Sequence, residues 1–327
     1  MPRILALFAF LSISSAHAQD PLALPPDDPA SPVHPRRFGL PGGVGVTRGW
    51  YVWEKFDAKN WSAEVRHEAS GEKYKVRVLP WLTTYRHLAY GAHPDQLLPG
   101  ERVNLFFNPD DKQKRAYLVH FQDEIGQMKG HNHAWRVLSA DDKGFTARVF
   151  AGDKPLDDTV AAFTFDSKVL VWRKGKTGVV PAAKVGENLY LTWVYHGKHR
   201  IVHLMSDVAS LPTLQAEAKT GIDERVRREG VTGFIDEITA DKAKLLVFAT
   251  WWAQTGDWKP GQKLRLFATD ATYQADGDPI DVTLTTRKNL GTYGSGCTEC
   301  VVGGLEKAME RLSGLKGNKV IRVLAAK

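Results

Sequence analysis

A turn glycine followed by a strand of alternating character occurs three times in this chain, and any fold must give each copy a place. The copies run Gly100-Glu101-Arg102-Val103-Asn104-Leu105-Phe106-Phe107, Gly186-Glu187-Asn188-Leu189-Tyr190-Leu191-Thr192-Trp193 and Gly261-Gln262-Lys263-Leu264-Arg265-Leu266-Phe267. Apolar side chains at every second position belong to a strand with one buried face. Val103/Leu105, Leu189/Leu191 and Leu264/Leu266 are therefore expected on the inward side of three related walls. The copies are unequally spaced, as insertions between fixed strands would leave them.

Each copy has similar surroundings. Upstream lies a hairpin: Ser62 to Val78, Ala134 to Val149, and Gly233 to Val247. The centres Ser139-Ala140-Asp141 and Thr239-Ala240-Asp241 carry turn chemistry, and Ser70-Gly71-Glu72 does the same in the first copy. Downstream lies a last strand: Ala116 to Phe121, Arg200 to Met205, and Pro279 to Thr286. Helices are expected at Gln122 to Lys129 and at Leu211 to Glu229, the latter with Ser210 as cap, Pro212 in the first turn and Gly230 as stop. The aromatic segment Trp50 to Phe56 is an added strand or a plug over the first unit.

This pattern resembles the small five-stranded Greek-key barrels of the oligonucleotide/oligosaccharide-binding (OB) type. The resemblance implies a mainly β fold of tandem small antiparallel barrels, with short connecting helices and a C-terminal helix–strand tail. In that family a helix commonly sits between the third and fourth strands. Here the helices fall between repeats, which leaves a permuted or different small barrel open. The expected divisions are a leader at 1–18, a disordered linker at 19–48, barrels at 49–130, 131–230 and 231–290 (the third shortened), and the tail at 291–327.

The leader follows from Arg3, the short apolar run Ile4 to Ile13 and the small-x-small site Ala16-His17-Ala18. That is the layout of a cleaved secretory signal, with a mature start at Gln19. The expected location is the periplasm or outside the cell. No later stretch is long and apolar enough to span a bilayer. The net charge of +7 is spread among acids. Its densest group, Arg225, Arg227 and Arg228, is flanked by Asp223, Glu224 and Glu229. Without a basic stripe a nucleic-acid partner is not expected. A cell-envelope polymer or protein is.

Three groups of residues are candidates for chemistry. Cys297 and Cys300 are the two cysteines of the chain. With Leu305 to Met309 after them, they resemble part of a heavy-metal-associated domain, in which a Cys-x-x-Cys loop leads into a helix and then a strand. The resemblance implies copper(I) or a similar soft ion on the two thiolates. A thioredoxin-like redox pair and a local disulfide pinning the tail are the alternatives. His131 and His133, two apart ahead of a strand, would share a face and chelate one copper or zinc ion, with His120 as a third ligand. Trp81, Tyr85 and Tyr90 in the first repeat, and Trp251, Trp252 and Trp258 in the third, could form an aromatic binding surface. No Gly-x-Ser-x-Gly, His-Glu-x-x-His or phosphate-binding loop is present, and the paired aspartates sit in turns. The reading is an exported, non-enzymatic binding or scaffold protein. The alternative is a periplasmic metal-handling or thiol-redox protein working through Cys297 and Cys300.

Overall fold

The computed structural model describes residues 47–79, 84–86, 93–110, 115–174, 176–177, 181–249, 258–270, 272–290, 296–305, 308–316 and 319–326. The leader and nearly all of the linker lie outside these, as do Trp81, Tyr90, Trp251 and Trp252. The chain is mostly β and forms three closed barrels.

The first barrel contains β1 (Thr47–Asp57), β2 (Ser62–His67), β3 (Lys73–Val78), β4 (Thr84–Arg86), β5 (Arg102–Asp110) and β6 (Arg115–Asp123). β1 pairs with β2 and β2 with β3, both antiparallel. β3 runs parallel to β6, β6 pairs with β5, and β5 returns to β1. The ring is a five-position Greek key of the OB-like kind. β4 also lies parallel to β6, just beyond β3, so β3 and β4 are two pieces of one broken strand. The aromatic segment at Trp50 is no plug; it is β1 itself.

The second barrel repeats this plan. It contains β7 (His133–Ala140), β8 (Gly144–Ala151), β9 (Lys154–Pro155), β10 (Ala161–Thr164), β11 (Leu170–Arg173), β12 (Lys176–Thr177), β13 (Asn188–His196) and β14 (His199–Asp207). Its ring runs β7, β8, β10, β14, β13 and back to β7, again with one parallel contact, between β10 and β14. Its third strand is also broken, into β10 and β11. The helices α1 (Glu124–Gly130) and α2 (Leu211–Glu229) connect consecutive barrels. Leu211 and Leu214 of α2 enter the second barrel's core, while Ile222 and Val226 join apolar clusters of the first and third.

The third barrel closes differently and takes the expected helix–strand tail into its own wall. It contains β15 (Val231–Ile238), β16 (Lys242–Ala249), β17 (Lys263–Thr269), β18 (Ala275–Asn289), β19 (Gly296–Gly303), the helix α3 (Met309–Leu315) and β20 (Ile321–Ala325). The ring order is β15-β16-β19-β18-β17-β20, every neighbour antiparallel. β19 fills the slot that the broken third strand fills elsewhere, and β20 is inserted between the first and glycine strands. Residues 231–325 are therefore one barrel, neither shortened at 290 nor followed by a separate tail.

The cysteines are corrected with it. Val301, Val302, Leu305, Met309 and Leu312 have helical spacing, but Gly303-Gly304, with Gly304 at φ +79°, interrupts the run and the helix begins only at Met309. Cys297 and Cys300 lie within β19, opposite Phe248 and Leu245. No loop precedes a helix at these cysteines, so the likeness to a heavy-metal-associated domain fails. Residues three apart on a strand point to opposite faces and are separated by about 10 Å, beyond the reach of a disulfide. Cys300 is sealed inside the third barrel and Cys297 in the layer between that barrel and the first. Both are free thiols that burial pushes up to about 12.

The glycine strands behave as expected. Gly100, Gly186 and Gly261 have φ of +90°, +85° and +89°, a region that suits glycine. Val103, Leu105, Leu189, Leu191, Leu264 and Leu266 are all fully buried. In the first two barrels the turn bonds to a bulge in the first strand: Gly100 N–H to Trp53 O, and Gly186 N–H to Val137 O. Gly261 N–H bonds instead to Leu284 O on β18, because β20 separates β17 from β15.

The first barrel touches both others. The outer face of the third, including Phe234, Phe248 and Tyr273, shares its apolar cluster. Trp61 Nε1 donates to Thr272 O at 2.7 Å, and Arg77 to Tyr273 Oη at 3.0 Å.

Two predictions follow the glycines and thiols. Gly186→Ala and Gly261→Ala, which meet open space, should each cost about 1–2 kcal/mol of stability for the left-handed backbone. Gly100→Ala should cost roughly 1–3 kcal/mol more, because its Cβ would lie 2.9 Å from Tyr195 O on the second barrel. Urea denaturation checks this, and equal losses at the three sites would refute it. After mild oxidation of the native chain, intact mass should still show two thiols. A loss of two hydrogens within the monomer would contradict the β19 register.

Candidate ligand groove between the first two barrels

The corner at α1 makes a concavity. Asp123 caps the helix, its Oδ1 accepting from Gly126 N–H at 2.7 Å, so Glu124 stands in the first turn. At the other end His131 is the C-cap, and Asn132 turns the chain at φ +57° into β7, which begins at His133. A groove of about 390 Å³ opens here. Trp50, Glu68 and Arg102 of the first barrel, Glu124 and His131 at α1, and His133, Trp135, Trp193 and Arg200 of the second barrel contribute to its walls.

Arg102 ties these elements together. Its Nε donates to Glu68 at 2.8 Å and its Nη1 to Glu124. Its guanidinium carbon lies 3.5 Å from the centre of the Trp50 ring and 5.3 Å from that of Trp193. Tyr195 Oη donates to the other oxygen of Glu68. The backbone joins in: Tyr195 N–H donates to Gly100 O at 2.7 Å, beside a bridge between Glu101 and Val194. One cation thus meets side chains from both barrels and the helix between them.

The two carboxyls are driven apart. Burial pushes Glu124 above its ordinary range, and Arg102 offsets only part of that. At Glu68 burial also opposes the charge, but Arg102 and the Tyr195 hydroxyl outweigh it and hold the carboxyl below its ordinary 4.5. Both are engaged, so the groove's strongest acceptors are already used. Donors are not. Trp135 Nε1 and Trp193 Nε1 are buried without a hydrogen-bond partner among the described residues, their rings meeting edge to face at 5.7 Å. The Arg200 guanidinium lies 5.9 Å from the Tyr195 ring centre and makes no hydrogen bond among the described residues.

The expected histidine cluster is assembled only in part. His131 and His133 stack, ring centres 5.5 Å apart and planes 24° from parallel. Burial, then the neighbouring His131, lowers His133 from its ordinary value. His120 is elsewhere, on β6, its ring 5.1 Å from that of Phe106. Among the described residues no three of His, Cys, Asp and Glu are grouped to hold an ion. The three-His site is therefore not formed, and Cys297 and Cys300, in and beside the third barrel, do not join the pair. Of the aromatic surface, Trp258 is buried in the third barrel's core and Tyr85 falls on β4. Trp81, Trp251 and Trp252 lie outside the described residues.

Arg102, Glu68, Glu124, Tyr195 and Arg200 were not among the sequence candidates. One signal did exist: Arg102 stands where the other glycine strands carry Asn188 and Lys263.

No protein-family profile matches this chain, and no curated protein matches it. Among solved structures, one described as drosophila Unr CSD456 is similar at 8% identity over 75% of this chain and 80% of that chain, with a TM-score of 0.19. The barrel architecture rests on the strand pairing. No helix among the described residues is long and apolar enough to cross a membrane.

Removing one partner from a buried ion pair typically costs about 3–5 kcal/mol, because the other charge stays buried. Arg102→Ala should fall in that range, read as a lower urea midpoint. The double variant Arg102→Met/Glu124→Leu should recover much of the loss. If Arg102→Ala is neutral, the network does not hold the barrels together.

Proposed function

We propose that this chain is an exported binding protein that seats a cell-envelope polymer in the groove between its first two barrels. On this reading residues 1–18 are removed and the mature chain works in the periplasm or outside the cell. The observation that carries the reading is the groove. Small closed barrels fill their interiors with side chains, so a ligand must be held on an outer surface. A concavity with convergent polar groups and shifted carboxyls is where binding is expected. The thiol-based alternative loses its basis, since Cys297 and Cys300 face opposite ways and titrate far above neutrality.

Two measurements test the proposal. Intact mass of the protein from an exporting host should place the start at Gln19, and a chain retaining Met1 outside the cytoplasm would overturn the export reading. Titrating the isotope-labelled mature chain with solubilised envelope polysaccharide should move resonances of Trp50, His131, His133 and Arg200. Changes confined to the separate cavity at Arg227, Trp258 and Arg265 would move the seat to the third barrel.

A further inference from the structure

We infer that the groove recognises an acidic group, a carboxylate or phosphate, carried on a sugar polymer. The inference rests on the groove being the ligand seat and concerns what it selects. Inside the groove the carboxyls are engaged: Glu68 and Glu124 both serve Arg102, while the exposed Asp157 at the rim gives one oxygen to Thr159 N–H at 2.7 Å. What lacks a hydrogen-bond partner deeper in the groove donates: the indole N–H groups of Trp135 and Trp193, and the Arg200 guanidinium, whose charge also helps hold Glu68 ionised. Buried indole N–H groups normally find a partner, and leaving them without one costs free energy. Both rings line the groove. A ligand oxygen that parts them would supply the missing acceptor, and Arg200 would supply the counter-charge. An anionic, oxygen-rich ligand meets both demands, and the mature chain's net charge of +6, the +7 of the full sequence less Arg3, favours its approach.

The ring faces argue for a sugar over a nucleic acid. Single-stranded nucleic acids are held by stacking bases on open aromatic faces. Here Trp50 is covered by Arg102 at 3.5 Å, and Trp135 and Trp193 are only 7% and 2% exposed. The faces of Trp135 and Trp193 are buried and one face of the half-buried Trp50 is taken by Arg102, which leaves little room for stacked bases, whereas hydrogen bonding suits hydroxyls and acids.

Calorimetric titration of the mature chain with oligogalacturonate, cellohexaose, tripolyphosphate and an oligothymidylate separates the outcomes. Oligogalacturonate should bind about tenfold or more tighter than cellohexaose, a difference of about 1.4 kcal/mol. Arg200→Gln should remove most of that preference. Trp135→Phe and Trp193→Phe should each weaken binding several-fold; each also leaves space in the second barrel's core and lowers the unfolding temperature, so binding is measured well below it. The two indole N–H resonances should shift on binding. Equal affinity for cellohexaose, with those resonances moving, overturns the acidic selectivity and leaves the seat standing. Tripolyphosphate binding as tightly as oligogalacturonate overturns the sugar requirement, and tighter oligothymidylate binding overturns the glycan altogether. Binding that leaves the groove resonances still, or no binding by any probe, overturns the inference and the seat together.

Discussion

The guanidinium of Arg102 is the contact on which the geometry of the first two barrels depends. Taking a cation out of water is expensive, and it is tolerated only where opposite charges and directional hydrogen bonds replace the solvent. Arg102 has Glu68 on one side, Glu124 on another, and the rings of Trp50 and Trp193 nearby. Because these partners come from different elements, satisfying one guanidinium fixes the relative placement of β1, β5, α1 and the second barrel. The groove is the outer surface of that arrangement. A pair of barrels joined by apolar area alone would have more freedom to slide, and its cleft would have no set shape.

The third barrel is joined by another kind of contact. Its outer face meets the first barrel through an apolar layer that includes Phe234, Phe248, Tyr273 and Cys297, with two hydrogen bonds from Trp61 and Arg77. The inserted β20 makes this barrel six-stranded, and Arg322 on β20 donates to Tyr273 O at 2.6 Å, supporting the loop that Trp61 touches. The first barrel is thus a hub with a polar junction on one side and an apolar one on the other. The donors without a hydrogen-bond partner, Arg200, Trp135 and Trp193, gather at the polar junction.

Much of the fold was legible because its signals are local. The positive-φ glycines, the alternating leucines and the hairpin turns are read from a few neighbouring residues, and they hold in all three barrels. The closure of the third barrel was not legible. Val301 and Val302 fit a helical spacing as well as a strand, and only the distant partners β16 and β18 decide between them. The cysteine reading failed for the same reason: Cys-x-x-Cys means a chelate in a loop and opposite faces in a strand. At the candidate site, His131 and His133 were visible because their spacing is local. Glu68, Arg102, Glu124 and Tyr195 are brought together from four segments of the chain, the turn after β2, β5, α1 and β13. The one local trace was an arginine where the other glycine strands have Asn188 and Lys263.

The Arg102 junction should lock the first two barrels into one rigid body. The amide of Tyr195 tests it directly, since its N–H donates to Gly100 O across that junction. In native-state hydrogen exchange, this amide should be protected to the same free energy as the amides inside β5 and β13, opening only when the barrels unfold. Exchange at the rate of exposed loops, with β5 and β13 still protected, would mean that the barrels part in the native state and that the groove has no fixed walls.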